Sequence, residues 1–428
     1  MKKIFYTFCI CLLFIYQLNA QSYVERVLVL NEGYFDFSTG EILTPVTVGA
    51  YDPETETYTV LNEIENARFA SDIVIYENAY YVAADKYINK YDLLTDELLA
   101  SVEIEGVRKI AVDENYVVIT RGEYLMEFDS YIQVLDKNNL DLVFAIPAED
   151  ENYSTEGVKI KDGIAYVAVN NGFNFGFEVG KITKINLASQ ELIETIDLGA
   201  DGINPDNMMI DGENIYTLNN KDFSGSSVSS YHISSGSIST TNLINISSGC
   251  GTSAYFDGNV YYQGMFSTAL SRFNTETSTI LDDTEVGINF YGLAFDELNN
   301  LFYSGETDYF SYGKVNIFNL EGSLLHTFDV SVSPGNFAFD VRSSVGIQEN
   351  KLTAINLYPN PVNDVLIIAS ESVLSEIIIS DISGSVVYQE MSLGNNLKTI
   401  DCSKFIPGVY VIAMRSDNEI IHQTFTKQ

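Results

Sequence analysis

The sequence predicts an all-β protein: a seven-bladed β-propeller closed by a C-terminal strand, followed by a small β-sandwich. Three observations lead there. A unit of short apolar strands recurs seven times between Val24 and Asp340, and its third strands end in one shared slot, at Asp52, Asp92, Asp136, Asn186, His232, Asn274 and Asn319. The intervals between those positions run from 40 to 50 residues, the span of a four-stranded propeller blade. Finally, the first unit begins directly at a second strand, Arg26-Val27-Leu28-Val29-Leu30, whereas Phe337-Ala338-Phe339-Asp340 is a first strand with no blade after it. Pairing those two closes the ring and removes two exposed sheet edges.

The elements follow in order. Lys2 and Lys3 precede the apolar run 4–16, and Leu18-Asn19-Ala20 offers a small-residue cleavage site, so residues 1–20 read as a signal peptide. Within the repeats, second strands such as 80–83 and 165–169 are rich in Val, Ile and Tyr, as strands buried on both faces tend to be. Fourth strands such as 191–198 and 323–330 alternate apolar with polar and read as outer strands with one wet side. The polar residue ending each third strand reads as a turn former that bonds nearby backbone amides. The propeller thus spans 21–340, residues 341–353 form a polar linker, and a second β-rich unit fills 354–428.

The chain has 428 residues, with 59 acidic against 23 basic and a formal net charge of −36. Such a field repels nucleic acid and anionic lipid and suits a soluble extracellular protein. Past the leader only Cys250 and Cys402 remain, in different domains, which predicts a secreted protein without disulfides. No later segment is long and apolar enough to span a bilayer.

Loops joining second to third strands share a face with the loops between blades, and here they are the long ones. They carry aromatic residues where solubility alone would select Ser or Lys. The candidates for ligand binding are Tyr34 and Phe35 beside Asn31, Tyr124, Phe173 and Phe175 beside Asn170, then Asn219, Phe266 and Tyr309. Segments between blades add Arg68, Arg108, Asn204 and Tyr291. Aromatic walls with amides and a few Arg side chains make a recognition surface for a bulky, partly polar ligand. The competing reading is that these rings pack on one another and only hold the loops in place.

Catalysis is disfavoured. The chain has three histidines, and none falls on the elaborated face, so nucleophilic triads lack a base and His-ligated metal sites lack ligands. No phosphate loop, dinucleotide fingerprint or paired zinc cysteines occur, and no cofactor is implied. Carboxylate-only chemistry stays open through Glu32, Asp85, Glu123, Glu178 and Glu306.

Two resemblances add to this. Asn356-Leu357-Tyr358-Pro359-Asn360-Pro361-Val362-Asn363-Asp364, Ile382-Ser383-Gly384-Ser385-Val386-Val387-Tyr388 and Ile406-Pro407-Gly408-Val409-Tyr410 resemble, in order, the motifs of the type A sorting domain of the Bacteroidota type IX secretion system. That resemblance implies export by the type IX machinery to the cell surface or the medium. The blades, with runs such as Ala165-Tyr166-Val167-Ala168-Val169-Asn170-Asn171-Gly172 and the opening Val29-Leu30-Asn31-Glu32-Gly33, resemble YncE-like propellers and, more narrowly, the DUF5074-type surface propellers of Bacteroidota. That group includes a lipid-anchored protein that captures cobalamin for a TonB-dependent outer-membrane transporter. The resemblance therefore implies non-catalytic capture of a corrinoid or similar bulky nutrient. An adhesin or a protein- or glycan-interaction scaffold is the alternative, and a carboxylate-based lyase or glycosidase comes third.

Overall fold

The computed structural model describes residues 21–344, 356–416 and 419–428; the leader 1–20 and linker residues 345–353 lie outside the described residues. The chain divides into two compact units, Gln21–Ser343 and one within Ser344–Gln428.

The first unit is built from seven four-stranded antiparallel sheets, each a meander. In blade 1, Gln21–Asn31, Val46–Asp52 and Thr57–Ile64 are joined by the last strand, Pro334–Ser344, which pairs beside Gln21–Asn31. The closing strand therefore runs to Ser344, beyond the expected limit at Asp340. Arg342 there bonds Asp340 at 2.7 Å. The other blades begin with inner strands Asp72–Tyr76, Val107–Val112, Thr155–Lys161, Pro205–Asp211, Ser248–Phe256 and Gly292–Asp296.

The apolar core is divided into wedges between consecutive blades. Leu28, Val48 and Tyr80 pack between blades 1 and 2, Ile88 and Ile119 between 2 and 3, and Val134 and Val167 between 3 and 4. Tyr166 and Ile215 follow, then Val228 and Tyr262, and Tyr261 and Phe302. A seventh wedge joins blade 7 to blade 1, where Tyr51 stacks on Phe328 at 4.1 Å beside Tyr303. Second strands such as Ala79–Ala84 are buried along their whole length because both faces meet a neighbouring blade. Fourth strands such as Leu98–Glu103 are largely exposed.

The third-strand slot works as a turn cap. Asp92 Oδ1 accepts the amides of Leu94 and Thr95 at 2.9 and 2.8 Å, and Asn186 Oδ1 those of Ala188 and Ser189 at 3.0 and 2.9 Å. His232 fills the same slot more loosely, its Nδ1 standing 3.4 Å from the Ser235 amide. A short polar side chain reaches its own turn more readily than an imidazole.

The second unit is one hydrogen-bonded network of five strands. Val365–Asp381 pairs with three of the others, with a break in register between Ala369 and Leu374. Its core holds Val362, Ile377, Ile412, Phe425 and the free, buried Cys402. The side chain of Cys250 lies outside the described residues. No helix among the described residues is long and apolar enough to cross a membrane.

Candidate functional site

The loop-bearing side of the propeller carries two arrangements: a set of aromatic side chains on the loops, and a polar channel at the centre of the ring.

The loop aromatics divide into two groups: Tyr34, Phe35, Phe173 and Tyr291 are half-buried, and the others stand exposed. Phe175 is 62% exposed, Phe223 41%, Tyr309 57% and Phe266 87%, and Tyr124 and Phe310 are exposed too. Three loops are brought together by ring contacts: Tyr124 lies 6.2 Å from Phe175, and Phe175 lies 5.8 Å from Phe223. On the other side of the ring Tyr34 meets Phe310 edge-on at 5.3 Å, and Tyr291 meets Tyr309 at 5.3 Å. Phe266 has no ring partner among the described residues. Phe35 packs on Phe37 at 4.8 Å, in a hairpin of Tyr34–Asp36 and Glu41–Thr44 that replaces the loop expected there.

Phe223, Phe266 and Tyr309 have φ of 62°, 63° and 72°. A bulky residue in the left-handed region crowds its Cβ against the following carbonyl, which costs about 1–2 kcal/mol. Glycine or asparagine would relieve that strain, yet three separate loops place an exposed aromatic there.

The amides among the candidates sit elsewhere. Asn31, Asn170, Asn204 and Asn219 are all buried, which removes them from an exposed ligand surface. Asn31 Nδ2 donates to Thr47 Oγ1 at 3.1 Å and to Tyr58 Oη at 3.0 Å. Asn170 Oδ1 accepts the Gly172 amide at 3.0 Å, folding back its own loop. Asn219 Nδ2 donates to Ser227 Oγ and Ser229 Oγ at 3.0 and 2.9 Å. Polar groups inside a sheet are mostly hydrogen-bonded, although Asn31 Oδ1 is left without a partner among the described residues.

Both arginines are ion-paired. Arg68 Nη2 meets Asp85 at 2.5 Å and Glu123 at 3.0 Å, and the Asp85 bond raises the guanidinium pKa further. Arg108 forms a two-pronged pair with Glu156 at 2.9 and 3.0 Å, and Phe173 lies 5.1 Å from it as a cation–π partner. Two of the candidate carboxylates, Asp85 and Glu123, thus serve Arg68.

The channel is a cavity of about 440 Å³ lined by the inner strands of all seven blades. Arg108 and Tyr291 reach it, along with charged residues whose role the sequence did not reveal: Asp72, Lys109, Glu156, Lys159 and Asp206. Burial lifts the Glu32 carboxyl to about 7 against the Tyr291 bond and the nearby cations. Burial, with Glu156 nearby, lifts Asp206 to about 6. No group of three or more His, Cys, Asp or Glu among the described residues could hold a metal ion.

Residues 356–428 match the family of the secretion system C-terminal sorting domain. That tail addresses the chain to the type IX secretion machinery, and the protein is secreted to the cell surface or the extracellular space. No curated protein matches the chain. Among solved structures, dihydro-heme d1 dehydrogenase NirN in complex with DHE matches with a TM-score of 0.50 and 12% identity over 89% of this chain and 75% of that one. The Kuenenia stuttgartiensis hydrazine synthase gives 0.49 at 12% identity, covering 67% and 90%. The WD40 domain of Neurospora crassa Pan2 gives 0.47 at 8%, covering 62% and 79%. At 12% identity the likeness to NirN is one of fold.

Proposed function

We propose that this protein is a non-catalytic capture propeller, which binds a bulky, partly polar ligand on its loop-bearing face outside the cell. The observation that carries the reading is the exposure of Tyr124, Phe175, Phe223, Phe266, Tyr309 and Phe310, three of them held in a strained backbone. Rings that served only to pin the loops would be packed away, and strain of this kind is retained where an exposed group has a use. The row Tyr124–Phe175–Phe223 crosses the loops of three blades, which suits a wide, flat ligand better than a small one. A corrinoid is the first ligand to test, with a TonB-dependent transporter as the partner that would receive it. Binding on exposed rings needs no general base, and the ion pairs of Arg68 and Arg108 hold nearby carboxylates in structural roles.

Native mass spectrometry of the secreted protein mixed with cobalamin tests this. A one-to-one adduct that disappears with Phe175→Ala and Phe223→Ala is expected. Absence of any adduct at micromolar concentration would sink the corrinoid reading and shift the face to a protein or glycan partner.

A further inference from the structure

The wedge that joins blade 7 to blade 1 stays open at its outer end. A cleft of about 580 Å³ lies there, between the outer strands Thr57–Ile64 and Leu324–Val332. Small-molecule sites typically measure about 300–1,000 Å³. Glycine makes the room. A Cβ at Gly49 would collide with the Tyr58 hydroxyl, so glycine lets Tyr58 fold down across the third strand, its ring 5.8 Å from Phe328.

The hydrogen bonding of the cleft floor is incomplete. Asn31 Nδ2 donates to both Thr47 Oγ1 and Tyr58 Oη, at 3.1 and 3.0 Å. The Val29 carbonyl, 3.3 Å from the same nitrogen, sets the amide this way round, because an oxygen there would face another oxygen. Each hydroxyl thus receives a proton from Asn31 and must turn its own elsewhere, yet among the described residues no acceptor takes either. Ser331 lines the same cleft, is 5% exposed, and makes no side-chain hydrogen bond among the described residues. A buried hydroxyl without an acceptor is unfavourable, and a guest that supplies one relieves it.

The rest of the lining defines that guest. The charged residues around the cleft, Glu63 and Asp329, are both acidic, and neither forms a hydrogen bond or ion pair among the described residues. An anion would be repelled by them, and a bare cation would meet the outward protons of Thr47 and Tyr58. An uncharged molecule that both donates and accepts satisfies the two sets together. Val60 and Tyr312, 44% and 76% exposed, add apolar surface for its C–H groups.

We propose that this cleft is a second binding site, for one neutral sugar ring, whose hydroxyls accept from Thr47, Tyr58 and Ser331 and donate to Glu63. The site rests on the wedge between blades 7 and 1 and not on the loop aromatics, so it is independent of the capture reading.

Saturation-transfer NMR titration of the full secreted chain with D-glucose and with D-galactose tests the proposal, at up to about 20 mM because a few hydrogen bonds to one ring correspond to a Kd of about 1 mM. One-to-one binding of at least one sugar is expected, with the matching uronate, D-glucuronate or D-galacturonate, at least about fivefold weaker. Tyr58→Phe keeps the ring but removes the hydroxyl, and should weaken binding about fivefold. Glu63→Gln should narrow the gap between sugar and uronate, and Phe175→Ala should change nothing. The proposal is overturned if neither sugar binds, if the uronate binds as tightly as its sugar, if Tyr58→Phe binds like the wild type, or if Phe175→Ala abolishes binding. The comparison of sugar with uronate uses the wild-type protein alone, so it decides the matter even where a variant fails to fold.

Discussion

Replacing Glu32 by Gln should stabilise the propeller by an amount that grows as pH rises from 4.5 through about 7. Burial raises the Glu32 carboxyl from its ordinary 4.5 to about 7, so the folded chain holds this proton more tightly than the unfolded one. The stabilisation that results is complete below pH 4.5 and is lost as pH rises through 7. Each tenfold change in proton affinity is worth about 1.4 kcal/mol, so the interval from 4.5 to about 7 corresponds to about 3 kcal/mol. The channel admits water, which screens the charge and brings the expectation to about 2 kcal/mol. Gln resembles the protonated carboxyl and can still accept the Tyr291 hydroxyl. Urea unfolding followed by near-ultraviolet circular dichroism, from about pH 4 to about pH 8, reads the difference. The two proteins should coincide at the acidic end, with Glu32→Gln pulling ahead between pH 4.5 and 7. A gap that does not change with pH, or a less stable variant at pH 8, would refute the reasoning.

Three further outcomes follow from the packing and the ion pairs. Phe302→Ala, in the wedge between blades 6 and 7 and 1% exposed, should cost about 3–5 kcal/mol in urea unfolding. Arg68→Ala leaves the buried Asp85 without its cation and should cost about 1–2 kcal/mol after allowance for the partly exposed guanidinium; adding Asp85→Asn should restore part of the loss. Phe266→Gly removes a ring without ring contacts from a left-handed backbone position, so stability should hold or rise by up to about 1 kcal/mol while ligand affinity falls. A clear loss of stability would show that the ring packs on something.

The fold was legible because propeller blades repeat locally. Each third strand ends in a residue whose side chain caps its own turn, so Asp52, Asp92 and Asn186 mark the same structural point. The closing strand was legible for a related reason, as a first strand with nothing left to pair. What was not legible depends on residues far apart in sequence. Arg108 and Glu156 are 48 residues apart and Arg68 and Glu123 are 55 apart, so the arginines looked free. The asparagines at strand ends looked like a ligand set, whereas Asn31 and Asn219 satisfy hydroxyls inside their own blades. The channel was hidden because no blade contributes more than two charges to its lining. A Lys159 between Val158 and Ile160 signals little until seven inner strands share an axis.

Calorimetric titration of cobalamin into the wild-type protein and the Phe175→Ala/Phe223→Ala double variant tests the central claim most directly. The account predicts one-to-one binding that the double variant weakens by about a hundredfold or more, since exposed aromatic anchors of this kind carry about 2 kcal/mol each. Equal affinity in the two proteins, with stability unchanged, would contradict the assignment of recognition to the aromatic face.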